Sequence, residues 1–159
     1  MFDFSTRRQR GPAGPSGWRG YAIGDVHGRL DLLERLLAAI HDDLRRHQAR
    51  KALLVLVGDL IDRGPQSAQV IEYLRTYRRS GVKTVFLLGN HEEVLLRILG
   101  GDAALIAKWC SFGGAECLAS YGVDSRQLSS RSEAEALEIL RGAIPKAHVE
   151  FLETFPDSC

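Results

Sequence analysis

Three observations on the sequence predict an α/β fold with a mostly parallel sheet. Short apolar runs alternate with longer stretches of helical periodicity. Each apolar run ends in a glycine. That glycine is followed at once by a residue able to bind a cation. Strands that alternate with helices pair in parallel through crossover connections.

The elements follow in order β-α-β-α-β-α. Trp18 to Ile23 reads as a strand that ends at Gly24-Asp25. Leu30, Leu33, Leu36, Leu37, Ile40 and Leu44 recur at helical spacing, so an amphipathic helix is predicted over 29–47. Ala52 to Val57 is a continuous apolar run bounded by charge and by Gly58, which suits a strand buried on both faces. Val70, Ile71, Leu74 and Tyr77 mark a second helix over 66–79, stopped by Ser80-Gly81. Val82 to Leu88 is the third strand, ending at Gly89-Asn90. Val94, Leu95, Ile98 and Leu99 place a third helix, closed by Gly100-Gly101. Beyond it the pattern is helical: Ala103 to Trp109, Ser132 to Leu140 with Glu133, Glu135 and Glu138 outward, and Pro145 to Phe155 with Pro145 near the first turn. No further strand is predicted.

Composition bounds the function. A chain of 159 residues is one domain. Its 45% hydrophobic and 26% charged residues exclude wholesale disorder. Lys+Arg at 21 against Asp+Glu at 20 supplies no global field for nucleic acid or an anionic membrane. The longest apolar run is far below the ~18 residues of a membrane span. Arg7, Arg8 and Arg10, followed by the Gly/Pro-rich stretch 11–17, read as a flexible basic tail over 1–17 and not as a secretory signal. Three cysteines cannot all pair within one chain, which predicts a reduced, cytoplasmic setting. Cys110 and Cys117 read as buried or partly exposed thiols, and Trp109 and Tyr121 as packing residues.

Three motifs carry chemistry. In Gly24-Asp25-Val26-His27-Gly28 a carboxylate and an imidazole at i and i+2 can meet one metal ion; taken alone, the segment fits an ordinary turn and helix start better. In Gly58-Asp59-Leu60-Ile61-Asp62-Arg63-Gly64-Pro65, two carboxylates and an arginine lie within five residues of a buried strand. That is the residue set phosphate chemistry needs, although Asp62 and Arg63 alone fit a surface ion pair. In Gly89-Asn90-His91-Glu92 the amide offers a neutral oxygen and the imidazole can exchange a proton near neutral pH; alone, Asn90 fits a helix cap. The three motifs repeat one plan, strand then glycine then ligand. In open α/β sheets, sites form at the carboxyl ends of strands, which places Asp25, Asp59 and Asn90 on one rim.

Together these motifs resemble the calcineurin-like metallophosphoesterases, and more narrowly the PPP-type serine/threonine phosphatases and their bacterial relatives. Trp109, Gly113-Gly114 and Ser120-Tyr121-Gly122 add to the likeness with the bacterial branch. The resemblance implies the N-terminal half of an αββα sandwich over 18–159, followed by a helical segment and incomplete at its C-terminal end. It implies two divalent metal ions, with manganese favoured and iron or zinc admitted, that activate water. Asp25 and His27 are the implied ligands of the first ion, Asp59 the bridging carboxylate and Asn90 a ligand of the second. His91 is the implied general acid with Asp62 as its partner, and Arg63 the phosphate clamp, with Asn90 also at the substrate. The expected activity is serine/threonine protein phosphatase, with a phosphoprotein or small phosphoester as substrate and neither nucleic acid nor membrane as partner. The alternatives are a symmetrical dinucleoside-polyphosphate hydrolase, or a truncated non-catalytic remnant that keeps part of the metal site. The family's further histidine ligands have no counterpart here; His148, the one histidine after His91, is expected on a helix surface.

Overall fold

The computed structural model describes residues 17–48 and 50–156, so the predicted tail, apart from Gly17, and Cys159 lie outside the described residues. Three strands, β1 (Trp18–Ile23), β2 (Lys51–Leu56) and β3 (Val82–Phe86), form one sheet in the order β1-β2-β3. Both pairings are parallel, with Ile23 opposite Leu56 and Leu56 opposite Phe86, so the three strands end side by side. Each connection contains a helix: α1 (Leu30–Arg46) between β1 and β2, and α2 (Ser67–Thr76) between β2 and β3.

The α1 stripe is Leu33, Leu37 and Ile40, at the i, i+4, i+7 spacing of one helix face, and all three are buried. Leu36, assigned to that stripe from the sequence, lies off it and is exposed, as is Leu32. Helix α2 buries Val70, Ile71 and Leu74 but ends at Thr76, because Tyr77 takes an extended backbone; the expectation of a helix to 79 is corrected. β2 also departs from its prediction. Ala52, Leu54 and Leu56 are buried, while Leu53 and Val55 on the opposite face are only half-buried and Val57 is exposed. The run is covered fully on one face and partly on the other.

After β3, α3 (Asn90–Leu99) starts at Gly89, and a 3₁₀ turn (Ala103–Leu105) leads into α4 (Ile106–Trp109). A π turn over Cys110–Gly114 breaks the helix before α5 (Ala115–Ser120). Then come α6 (Glu133–Ala143), capped by the Ser132 hydroxyl, and α7 (Lys146–Leu152), entered through Pro145. Phe86 of β3 meets Phe151 and Phe155 with ring centroids 5.1 and 5.2 Å apart, which brings the end of the described chain back onto the sheet. His148 is on α7 as expected but is buried, not on its surface. Its Nδ1 lies 2.9 Å from the Tyr121 hydroxyl and its Nε2 3.1 Å from Glu72, which ties α7 to α5 and α2. No described helix is long and apolar enough to cross a membrane.

Candidate metal centre

The loops that leave the three strands meet at one point because their backbones are laced together. The Asp59 carbonyl accepts the amides of Val26 and His27 at 3.0 and 2.9 Å, and the Leu60 carbonyl accepts that of Gly28 at 2.8 Å. The loops after β2 and β3 also touch: a Cβ built on Gly58 would come within 2.5 Å of the Gly89 backbone, so glycine is what allows the approach. Glu92 completes the join. Fully buried in the first turn of α3, its carboxylate accepts the amides of Asp59, Leu60, Ile61 and Gly89, at 2.8, 2.8, 3.2 and 3.1 Å. Burial pushes this carboxyl up, and the donors from Ile61, Leu60 and Asp59 oppose it by favouring the ionised form. The motif Gly89-Asn90-His91-Glu92 by itself gives Glu92 no task; its place three residues after the helix cap is the available signal.

The residues so gathered adopt an unusual backbone. His27 (φ 43°), Asp59 (φ 53°), Asp62 (φ 71°) and Arg63 (φ 64°) are all left-handed, a conformation that non-glycine residues seldom take. Such residues persist only where surrounding contacts hold them, and they cluster at functional sites.

His27, Asp59 and His91 present ligand atoms that all lie within 4.8 Å of one another. Asp25 stands beside them, its Oδ2 3.6 Å from His27 Nε2, with a largely exposed side chain. Asn90 is the first residue of α3 and lines the cavity next to His91. His91, assigned from resemblance to proton transfer, is thus part of the donor cluster, while Asp25 and Asn90 flank it.

The donor set fits a divalent ion. His27 Nδ1 is 2.8 Å from the Ile61 carbonyl, which can only accept, so Nδ1 carries the proton and Nε2 keeps its lone pair. Two imidazole nitrogens and a carboxylate oxygen suit manganese, iron or zinc. The Arg63 guanidinium lies against the same nitrogens, with Nη1 2.8 Å from His27 Nε2 and Nη2 3.3 Å from His91 Nε2. Both rings therefore turn their acceptor side toward positive charge.

Behind the cluster lies a buried polar chain. His91 Nδ1 is 2.7 Å from Asp62 Oδ2, and Trp109 Nε1 donates to the same oxygen at 2.8 Å. Asp62 Oδ1 is buried without a hydrogen-bond partner among the described residues. Burial pushes the Asp62 carboxyl up, against the bonds from His91 and Trp109. The neighbouring Cys117 thiol is pushed well up by its own burial and then by Asp62, so it stays protonated. Trp109 is a packing residue as expected, but it also holds the carboxylate, a task that its sequence context did not signal.

The calcineurin-like phosphoesterase family model matches residues 20–147. A symmetrical bis(5'-nucleosyl)-tetraphosphatase of Hamiltonella defensa is 46% identical over 81 residues, which are 51% of this chain and 26% of that protein. The protein of the same description from Nitrosococcus oceani is 39% identical over 88 residues, 55% of this chain and 29% of that one. A solved structure described as a candidate diadenosine tetraphosphatase is 24% identical, with a TM-score of 0.44, and the match covers 87% of this chain and 47% of that one. The matched stretch thus spans less than a third of the length of these two curated relatives.

Proposed function

Since the chain belongs to the calcineurin-like phosphoesterase family, we propose that it serves metal-dependent phosphoester hydrolysis with a dinucleoside polyphosphate, cleaved symmetrically, as substrate. The observation that carries the reaction class is the cluster of His27, Asp59 and His91 donor atoms backed by the Asp62–His91 pair. The substrate class is supported by the relatives, whose described activity is on bis(5'-nucleosyl) tetraphosphates. That support moves the reading away from phosphoprotein, the first expectation from the motifs.

In this proposal Asp25, His27, Asp59 and Asn90 would hold the metal ions, and His91, although within reach of the same point, keeps its Nε2 for proton transfer. Held by these residues, divalent ions would supply Lewis-acid polarisation of phosphoryl oxygens and lower the pKa of a bound water. The remaining work belongs to the chain. His91 Nδ1 is fixed on the buried Asp62 carboxylate, so a proton taken up at Nε2 makes an imidazolium that Asp62 stabilises. That proton is then available to the departing oxygen. Arg63 offers a planar fork of donors to the non-bridging phosphoryl oxygens. Trp109 keeps Asp62, and through it His91, in one orientation.

The test is incubation of the purified chain with manganese and either diadenosine tetraphosphate or a phosphoserine peptide, with products separated by chromatography. Formation of ADP as the sole nucleotide product, faster than release of phosphate from the peptide, is the expected result. Preferential dephosphorylation of the peptide would return the substrate to phosphoprotein.

A further inference from the structure

A cavity of about 330 Å³ opens directly beside the donor cluster, lined by Asn90, His91 and Arg63 together with Arg97, Lys108 and Phe112. Ligand pockets run from roughly 300 to 1,000 Å³, so this one suits a single nucleoside and not a whole dinucleotide. Three features set its chemistry. Among the described residues its lining contains three cationic side chains and no carboxylate. Arg97 is paired with Asp102 at 2.8 Å, whereas Lys108 makes no ion pair among the described residues. Phe112, 61% exposed, is the most exposed of the large apolar side chains described.

Exposure of a phenylalanine on a loose loop would mean little, but this one is held. Phe112 leaves helical geometry (φ −108°, ψ 18°) and is followed by Gly113 at φ 109°. The Gly113 carbonyl accepts the Arg63 amide at 2.9 Å, and a Cβ on Gly113 would come within 2.6 Å of Arg63 Cγ. The π turn is therefore fastened to the backbone of Arg63, and it carries Phe112 to a fixed place on the cavity wall. A rigid aromatic face left in water beside unpaired cationic charge is the pairing that nucleotide sites use, a stacking surface for the base and donors for the phosphates.

We infer that this cavity seats one nucleoside of a nucleoside phosphate, with the base stacked on Phe112 and the adjoining phosphates met by Lys108. The inference rests on the phosphoesterase reading of the neighbouring cluster. It makes Phe112 and Lys108 specificity-determining residues, outside the residues that perform the chemistry.

The experiment is calorimetric titration of the full chain, loaded with manganese, by AMP, ribose 5-phosphate and inorganic phosphate; turnover is not needed. The wild-type chain should bind AMP roughly tenfold more tightly than ribose 5-phosphate, the ratio that one base stacked on an aromatic ring supplies. Phe112→Ala should reduce that ratio to about one, and Phe112→Trp should keep it, while inorganic phosphate binds both variants as it binds wild type. Lys108→Ala should weaken AMP and ribose 5-phosphate together and leave their ratio intact. Equal affinity for AMP and ribose 5-phosphate in the wild type, or a ratio that survives Phe112→Ala, overturns the assignment while phosphate binding still upholds the phosphoesterase reading. A phosphoserine peptide that binds more tightly than AMP and depends on Phe112 would give the cavity to a protein side chain and overturn it likewise. Failure to bind any of the three phosphates would remove both readings.

Discussion

His91 Nδ1 lies 2.7 Å from the Oδ2 atom of a fully buried Asp62, so one edge of the imidazole is held by a carboxyl group that water does not reach while the other edge joins the donor cluster. Asp62→Asn keeps the shape of that support and removes its charge. Turnover of an alkyl phosphoester should fall by roughly 10²–10⁴-fold, the usual contribution of a positioned acid. Turnover of a nitrophenyl ester, whose leaving group needs little protonation, should fall far less. Equal losses on both substrates would detach Asp62 from proton delivery.

Glu92→Gln exchanges an acceptor for a donor in the middle of four backbone amides. Each carboxylate oxygen accepts two of the amides, so two are left facing an NH₂ group, and each buried unsatisfied donor costs about 1–3 kcal/mol. Urea unfolding should show a loss of about 2–4 kcal/mol, with the loop from Asp59 to Ile61 losing hydrogen-exchange protection first. A change below about 0.5 kcal/mol would mean that Glu92 is not what ties the two loops together.

Asp59 contributes to the donor cluster itself, whereas Asp25 reaches it from an exposed position beside His27. Metal titration by calorimetry should therefore show a larger loss of manganese affinity for Asp59→Asn than for Asp25→Asn. Equal losses would count against a central place for Asp59.

Acid should loosen α7. The Glu72 carboxyl is held below the usual carboxylate range by Arg75 and, next, by His148. A lowered value in the folded state means that the contribution to stability is complete above the unfolded value of about 4.3 and is lost as pH falls through the lower folded value. Thermal melts from pH 7 to pH 3 should show Glu72→Gln less stable than wild type near neutrality, with the difference closing below about pH 4. The group is exposed, so the difference is small at every pH; a gap that widens in acid would contradict the assignment.

The strands are legible in the sequence because residue type and spacing carry their positions. β1 was placed to the residue, and β2 and β3 within two residues, because apolar runs bounded by glycine leave few alternatives. The motifs proposed to hold metal are legible for the same reason: Asp25, His27, Asp59 and Asn90 each follow closely on a strand end. What stayed hidden depends on partners distant in the chain. Glu92 is a helix-start glutamate until Asp59, Leu60 and Ile61 are brought against it. Trp109 is an ordinary apolar residue until its indole N–H meets Asp62, 47 positions earlier. His148 is a helix residue without an evident partner until Tyr121 and Glu72 are brought against it. Nor does residue type announce that His27 or Arg63 is left-handed, since neither is a residue that favours this conformation.

That backbone conformation bears on how the sequence can drift. At Arg63 the φ of 64° disfavours any side chain with a Cβ by about 1 kcal/mol, and the residue is exposed. Glycine at 63 should therefore give a more stable chain than alanine, the reverse of the order found at most positions, and melting temperatures of the two variants will read it directly. Both variants lose the guanidinium. Selection for persistence alone would draw this position toward glycine, so an arginine here runs against the local preference of the backbone. In a set of descendants, decay of the chemistry would then leave a visible trace: glycine spreading into the one exposed left-handed position of the rim while the strands beneath it stay unchanged.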